Sequence, residues 1–240
     1  MIEQQSNAQV ESAIASLPVS LQHIARTLSS GKVTKPSGVI KAIKEANVKP
    51  EDLSPWADFD HPDADSYGRK LVYKGDNFEI MVMSWRPGDF SAIHDHGYTQ
   101  WGAVQIFGPA EHATFRIEDG YISTLNRWNV KPGDIVGVGH ELVHQMGNTT
   151  SDTFFLSLHV YGEREAIENI TGDARVFDLE NETIQRVDGG VFFALPPEGV
   201  KRIEEGPRGD FPTRLRHMVE LIRRLEKMEK LGVNKSGKDL

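Results

Sequence analysis

The chain has 240 residues, of which 38% are hydrophobic and 26% charged. That suits an ordinary globular protein with one domain plus extensions, or two small domains, and the length buries a core easily. A formal net charge of -8 speaks against nucleic acid or an anionic membrane surface as a partner, and the absence of cysteine removes disulfides, thiolate metal sites, iron–sulfur clusters and a cysteine nucleophile.

The opening MIEQQSNAQVESAIASL lacks the basic start and apolar run of a signal peptide, and no stretch reaches the roughly 18 apolar residues of a membrane span. The expectation is a cytoplasmic protein. Residues 8–29 carry Val10, Ile14, Leu17, Leu21, Ile24 and Leu28 at helical spacing, interrupted by Pro18. Residues 37–47 read as a second short helix with Ser37 as its N-cap. KPEDLSPWADFDHPDADSYG, rich in proline and aspartate, reads as a linker.

From about residue 69 short β-rich runs follow one another: LVY, FEIMVMSW, WGAVQIFG, ATFRI, GYISTLN, DIVGVG and TFFLSLHVY. KGDN, RPGD, FGPAE, EDG, KPGD and GNTTSD separate them as turns. ARVFDL and GVFFALP are two further strand candidates. Many short strands with tight turns predict a mainly β fold, a small antiparallel barrel or sandwich. A charged amphipathic helix closes the chain, its apolar stripe (Leu215, Met218, Leu221, Ile222, Leu225, Met228) expected to dock on the barrel or on a partner chain. The predicted organisation is a helical extension and linker at 1–64, a barrel at 65–200 and a C-terminal helix at 201–240.

SAIHDHG places His94 and His96 one residue apart, so on a strand both project from one face and Asp95 from the other. Two neighbouring imidazoles on an inner face suit a metal ion. A third ligand would come from His140, His144 or His159. A hairpin closed by GNTTSD would bring His144 near His159. His23, His61, His112 and His217 lack such company and read as surface or structural. In FFLSLHVYG, Ser157, His159 and Tyr161 alternate with Leu156, Leu158 and Val160. Three polar groups on one face of so apolar a strand predict a hydrogen-bonded chain, since buried polar groups need partners.

These motifs resemble the cupins, and within them the cysteine dioxygenase family of thiol dioxygenases. Gly88, five residues and then His94 and His96 match the first cupin motif, and His144 with Asn148 matches the end of the second. Gln100 stands where many cupins carry a glutamate ligand, and thiol dioxygenases likewise lack it. The resemblance implies a cupin (jelly-roll) barrel over roughly 65–180 and ferrous iron held by His94, His96 and His144. It also implies a Ser157, His159 and Tyr161 strand beside the metal, and Arg69 in YGRKLVY as the clamp for a substrate carboxylate. Some members crosslink a cysteine to the active-site tyrosine; here Trp101 or Gly102 fills that place, so Tyr161 is an unmodified phenol. WGAVQIFGPAE and HVYG resemble a bacterial 3-mercaptopropionate branch, which takes its carboxylate on a later arginine, for which Arg175 is the counterpart. Trp85 and Trp101 are candidates to line the pocket.

The implied activity is oxidation of a small carboxylated thiol by O2 to its sulfinate: cysteine first, then 3-mercaptopropionate, or mercaptosuccinate if both arginines face the pocket. Another metal-dependent cupin enzyme, either a carbon–carbon cleaving dioxygenase or an isomerase, and a non-catalytic ligand-binding cupin are the competing expectations.

Overall fold

The computed structural model describes residues 7–62, 65–193 and 195–230. Three helices open the chain: α1 (Asn7–Ala15), α2 (Val19–Ser29) and α3 (Pro36–Ala46). Pro18 separates the first two by serving as the N-cap of α2. The helix expected at residues 37–47, α3, starts earlier than expected. Lys35 is its N-cap and Pro36, with its φ preset, takes the first helical position, so Ser37 lies inside. The expected linker is partly ordered, with a one-turn helix α4 (Pro50–Leu53) and a 3-10 turn at Ser54–Trp56. Leu53 is its buried anchor.

The strands are β1 (Gly68–Lys74), β2 (Phe78–Trp85), β3 (Trp101–Ile106), β4 (Ala110–Glu118), β5 (Tyr121–Val130) and β6 (Ile135–Gly139). They continue as β7 (Val143–Gly147), β8 (Phe155–Gly162), β9 (Ala174–Asp178), β10 (Thr183–Val187), β11 (Val200–Glu205) and β12 (Arg208–Gly209). One sheet has the order β1-β2-β8-β3-β6; facing it are β12-β5-β4-β7 and the ladder β11-β10-β9. This is the curled, mostly β architecture of a cupin, with helices at both ends. GVFFALP is not a strand over its described residues 190–193, and Ala194 lies outside them.

The central strands of the first sheet are covered on both faces. Every residue of β2, β3 and β8 is buried. Leu156, Leu158 and Val160 join Phe78, Ile80, Val82, Trp101 and Ala103 in a core with Leu21, Ile24, Leu28, Val39 and Ile43 of the helices. Full burial of one such side chain contributes about 1.5–3 kcal/mol. The N-terminal helices therefore cover the outer face of the barrel and share its core. The inner face holds Met81, Met83, Trp85, Val104, Ile106 and Tyr161 against Met146, Val176 and Val187 from the opposite side.

Two expectations change here. GNTTSD does not close a hairpin, because β7 pairs with β4 whereas β8 pairs with β2 and β3. His144 and His159 therefore reach the interior from different sheets. The C-terminal helix, α5 (Phe211–Lys230), is docked by its polar face. Thr213, His217, Glu220 and Arg224 are buried, while Leu215, Met218, Ile222 and Leu225 are exposed. Thr213 Oγ1 accepts from the Thr124 N–H, Arg216 bridges Glu111 and Glu220, and Arg224 and Lys227 reach Asp89. Ion pairs and hydrogen bonds to the barrel outcompete the apolar stripe for the contact. Met228, the last member of that stripe, has its side chain outside the described ones.

Candidate metal centre

The segment carrying His94 and His96 is not a regular strand but is held as firmly as one. His94 and His144 exchange backbone hydrogen bonds, each N–H donating to the other's carbonyl at 2.9 Å. On its other side the Asp95 N–H donates to the Arg175 carbonyl at 3.0 Å. The alternation survives, with both imidazoles facing inward and Asp95 outward. The glycine that ends SAIHDHG has a local cause. Gly97 sits at φ +52, and a Cβ there would lie 2.0 Å from the Gly172 carbonyl oxygen, so only glycine fits.

His94, His96 and His144 are buried and offer one nitrogen each within a 4.8 Å group, the only such group among the described residues. His144 Nε2 lies 3.1 Å from Nε2 of both His94 and His96. Nitrogens about 2.0–2.1 Å from one ion at near right angles stand about 3 Å apart, so the spacing fits a shared cation. Burial depresses all three, His94 to about 4 and the other two well below the usual histidine range. Neutral imidazoles with converging lone pairs are the form that binds metal. His94 Nδ1 is within 2.8 Å of the Ala92 carbonyl, the acceptor that keeps Nε2 free. Of the other candidates, His140 is exposed and contacts Gln100 Nε2 and the Thr99 carbonyl, away from the cluster.

Beside the cluster runs the chain on β8. Trp85 Nε1–H donates to Ser157 Oγ at 2.8 Å, Ser157 Oγ lies 2.7 Å from His159 Nε2, and His159 Nδ1 lies 2.8 Å from Tyr161 Oη. An indole only donates, and the only acceptor among the described residues for the Ser157 proton is His159 Nε2, so Ser157 donates there. His159 then donates through Nδ1, and the Tyr161 hydroxyl proton is left for the cavity. Burial, reinforced by the positive charge of Arg69, lowers His159 to about 3. Burial raises Tyr161, which stays a phenol. The Tyr161 ring centroid is 5.2 Å from that of His96. Gly102 pairs with Tyr161 in the ladder, and a Cβ on it would approach the ring to 3.0 Å. Gly102 rather than Trp101 therefore occupies the position beside the phenol.

His94, His96, His144, His159, Tyr161 and Trp85 border one cavity of about 30 Å³, room for about two water molecules. Its wall includes Tyr67, Arg69, Met81, Met83, Trp85, Met146 and Thr171 beside the histidines and Tyr161. Arg69 donates to Thr171 Oγ1 at 3.0 Å, which leaves other N–H groups of its planar fork for a ligand. Tyr67 stacks on Trp85 with ring centroids 4.8 Å apart, fixing that wall.

Two expected pocket residues lie elsewhere. Arg175 faces outward from β9: its Nε is ion-paired with Asp95, and its guanidinium lies over Phe177. Asp95 also accepts from the Arg175 and Gly97 N–H groups, so the pair is mutually satisfied. Trp101 points to the opposite face of β3 from Gly102 and packs in the core shared with the helices. One site residue had no sequence signal at all: His112 Nε2 lies 2.7 Å from His144 Nδ1. Only the pairing of β4 with β7 brings it there.

Fold and site together define a cupin with a three-histidine group able to hold a metal. The family model for cysteine dioxygenase type I matches residues 2–164, and the chain belongs to that family. Among solved structures it is similar to a double-stranded β-helix protein from Klebsiella pneumoniae subsp. pneumoniae, at 17% identity, 48% of this chain, 90% of that chain and a TM-score of 0.37. A cupin superfamily protein from Desulfitobacterium hafniense matches at 14% identity, 40% and 75% coverage and a TM-score of 0.31. A cupin-2 domain from Rhodospirillum rubrum matches at 19% identity, 43% and 64% coverage and a TM-score of 0.33. No helix of the described residues is long and apolar enough to cross a membrane.

Proposed function

We propose that the protein is an iron-dependent dioxygenase of a small thiol bearing one carboxylate, and that the product is the sulfinate. The observation that supports this best is the convergence of His94, His96 and His144, the Tyr161 hydroxyl and the Arg69 guanidinium on one small cavity. Ferrous iron, when bound by the three histidines, supplies a site for the thiolate and dioxygen and the electrons that activate oxygen. Thiolate plus O2 gives sulfinate, both oxygen atoms ending on sulfur.

The chain's own residues handle binding and polarity. Arg69 holds the substrate carboxylate through its fork, with Thr171 setting its orientation. Met81, Met83 and Met146 form a wall that excludes water from the sulfur. Tyr161, its proton direction set by Trp85, Ser157 and His159, donates a hydrogen bond to the oxygen or sulfur that gains charge.

The arginines bear on substrate class. Arg69 is the only lysine or arginine among the described residues lining the cavity, because Arg175 is held by Asp95. A monocarboxylate such as cysteine or 3-mercaptopropionate therefore fits better than mercaptosuccinate, whose second carboxylate would be buried without a cation. Cysteine remains the first choice on the position of Arg69.

The test is oxygen uptake by the ferrous-loaded protein with cysteine, 3-mercaptopropionate and mercaptosuccinate in turn. One O2 per thiol is expected with a monocarboxylate. Arg69→Gln should raise KM about 10- to 150-fold, from loss of a charged hydrogen bond of about 1.5–3 kcal/mol. Uptake by mercaptosuccinate alone would refute the one-carboxylate reading, and silence with all three in iron-loaded protein would refute the reaction.

A further inference from the structure

The ligand nitrogen of His144 fixes which of its nitrogens is left to carry a proton. His144 Nε2 faces the other two ligands at 3.1 Å, so its Nδ1 is the nitrogen left over. That atom meets His112 Nε2 at 2.7 Å. A carbonyl, the partner of His94, can only accept, whereas an imidazole nitrogen accepts or donates according to its tautomer. His112 is 2% exposed and lies edge-on to Trp128, ring centroids 4.6 Å apart at 70°. It stands two residues before Thr114, the cross-strand partner of His144, and so shares that face of the sheet.

A neutral His144 that binds a cation through Nε2 must keep its proton on Nδ1. Among the described residues that proton has one partner, His112 Nε2. His112 must then carry its own proton on Nδ1, an atom that is buried with no hydrogen-bond partner among the described residues. We infer that His112 is a positioning residue of the metal centre, accepting the Nδ1 proton of His144 and thereby fixing its ring plane and its strength as a ligand. Trp128 limits rotation of the His112 ring. The inference rests on the metal-site reading of the three histidines and is independent of thiol or oxygen chemistry.

The first experiment uses the wild-type chain, labelled with 15N-histidine and loaded with zinc as a diamagnetic probe. Long-range 15N–1H correlations should show His144 and His112 both protonated at Nδ1, with His112 Nε2 bare. A proton on His112 Nε2 in the zinc form would overturn the inference, with no variant that might misfold. The second compares zinc affinity by chelator competition in wild type, His112→Leu and His112→Gln. His112→Leu should bind 10- to 100-fold more weakly, the range for loss of a ligand's supporting partner, and His112→Gln should recover part of that through its amide oxygen. Affinity of His112→Leu within twofold of wild type would overturn it. Failure of the wild type to bind one zinc per chain would overturn both this inference and the metal reading. The expected tautomers and affinities without thiol-dependent oxygen uptake would support it and remove only the proposed reaction.

Discussion

Two buried polar clusters of this protein differ in whether they are electrically complete. Around Asp89, which is fully buried, the partners are already in place. His61 Nε2 lies at 3.1 Å, Lys227 Nζ at 2.7 Å and Arg224 at 3.3 Å, and the Arg86 N–H donates at 2.7 Å. Burial works against this carboxylate, but hydrogen bonds from His61 and Lys227 outweigh it and hold it below the usual range. His94, His96 and His144 are equally buried, yet their Nε2 atoms face one another with no carboxylate free among them, since Asp95 is held by Arg175. The first cluster ties α5 and the segment before β1 to the turn after β2. The second is a convergent set of imidazole nitrogens able to hold a cation. A complete buried cluster is structural, whereas a convergent and incomplete one is where a ligand belongs.

Removing a member from each cluster should separate stability from binding. His144→Ala has the largest expected effect on binding. Metal affinity should fall by more than about 100-fold, beyond the loss expected for a supporting partner, while the metal-free protein stays folded. Equilibrium dialysis with circular dichroism checks both, and one metal per chain retained by the variant would break the comparison. Asp89→Asn should do the reverse. It leaves buried cations without their anion, at about 3–5 kcal/mol of unfolding stability by urea denaturation, with metal affinity within about twofold of wild type. A large loss of affinity there would mean that the two clusters are coupled.

A third effect is one of pH. Above pH 6.5 the buried histidines are neutral in both folded and unfolded chains and their contribution to stability is complete. As pH falls, the unfolded chain takes up protons that the folded sites refuse until about pH 4 for His94 and His112 and about 3 for His159. The urea midpoint of the metal-free protein should therefore drop between pH 6.5 and 4. The Asp89 carboxylate, held below its usual 3.8, keeps its contribution through that window and loses it only at lower pH. Asp89→Asn should then lower the midpoint without changing its slope against pH. A midpoint flat from pH 7 to 4.5 would contradict neutral burial of the histidines.

Much of the site was legible because its members are close in sequence or fixed by alternation. His94 and His96 share a face whether their segment is a strand or a bridged loop, and the alternation of Ser157, His159 and Tyr161 needs only an extended backbone. The partners across the barrel were not legible in this way. Trp85 was one of two tryptophan candidates, and only the pairing of β2 with β8, which sets Met83 against Ser157, puts its indole within reach of that hydroxyl. Arg69 and Arg175 were indistinguishable by residue type, and the Asp95 carboxylate separates them.

By itself, the amino-acid order determined the helical start, the β-rich middle, the histidine pair and the polar side of β8, because each is a matter of local spacing. Tertiary structure alone decided which strands pair, and so that His144 crosses to His94 while His159 arrives from the other sheet. It also turned α5 over. An amphipathic stripe says which residues share a face but not what that face meets. Here the barrel offered Glu111, Arg127 and Asp89, and charge-paired contacts with these took the buried side.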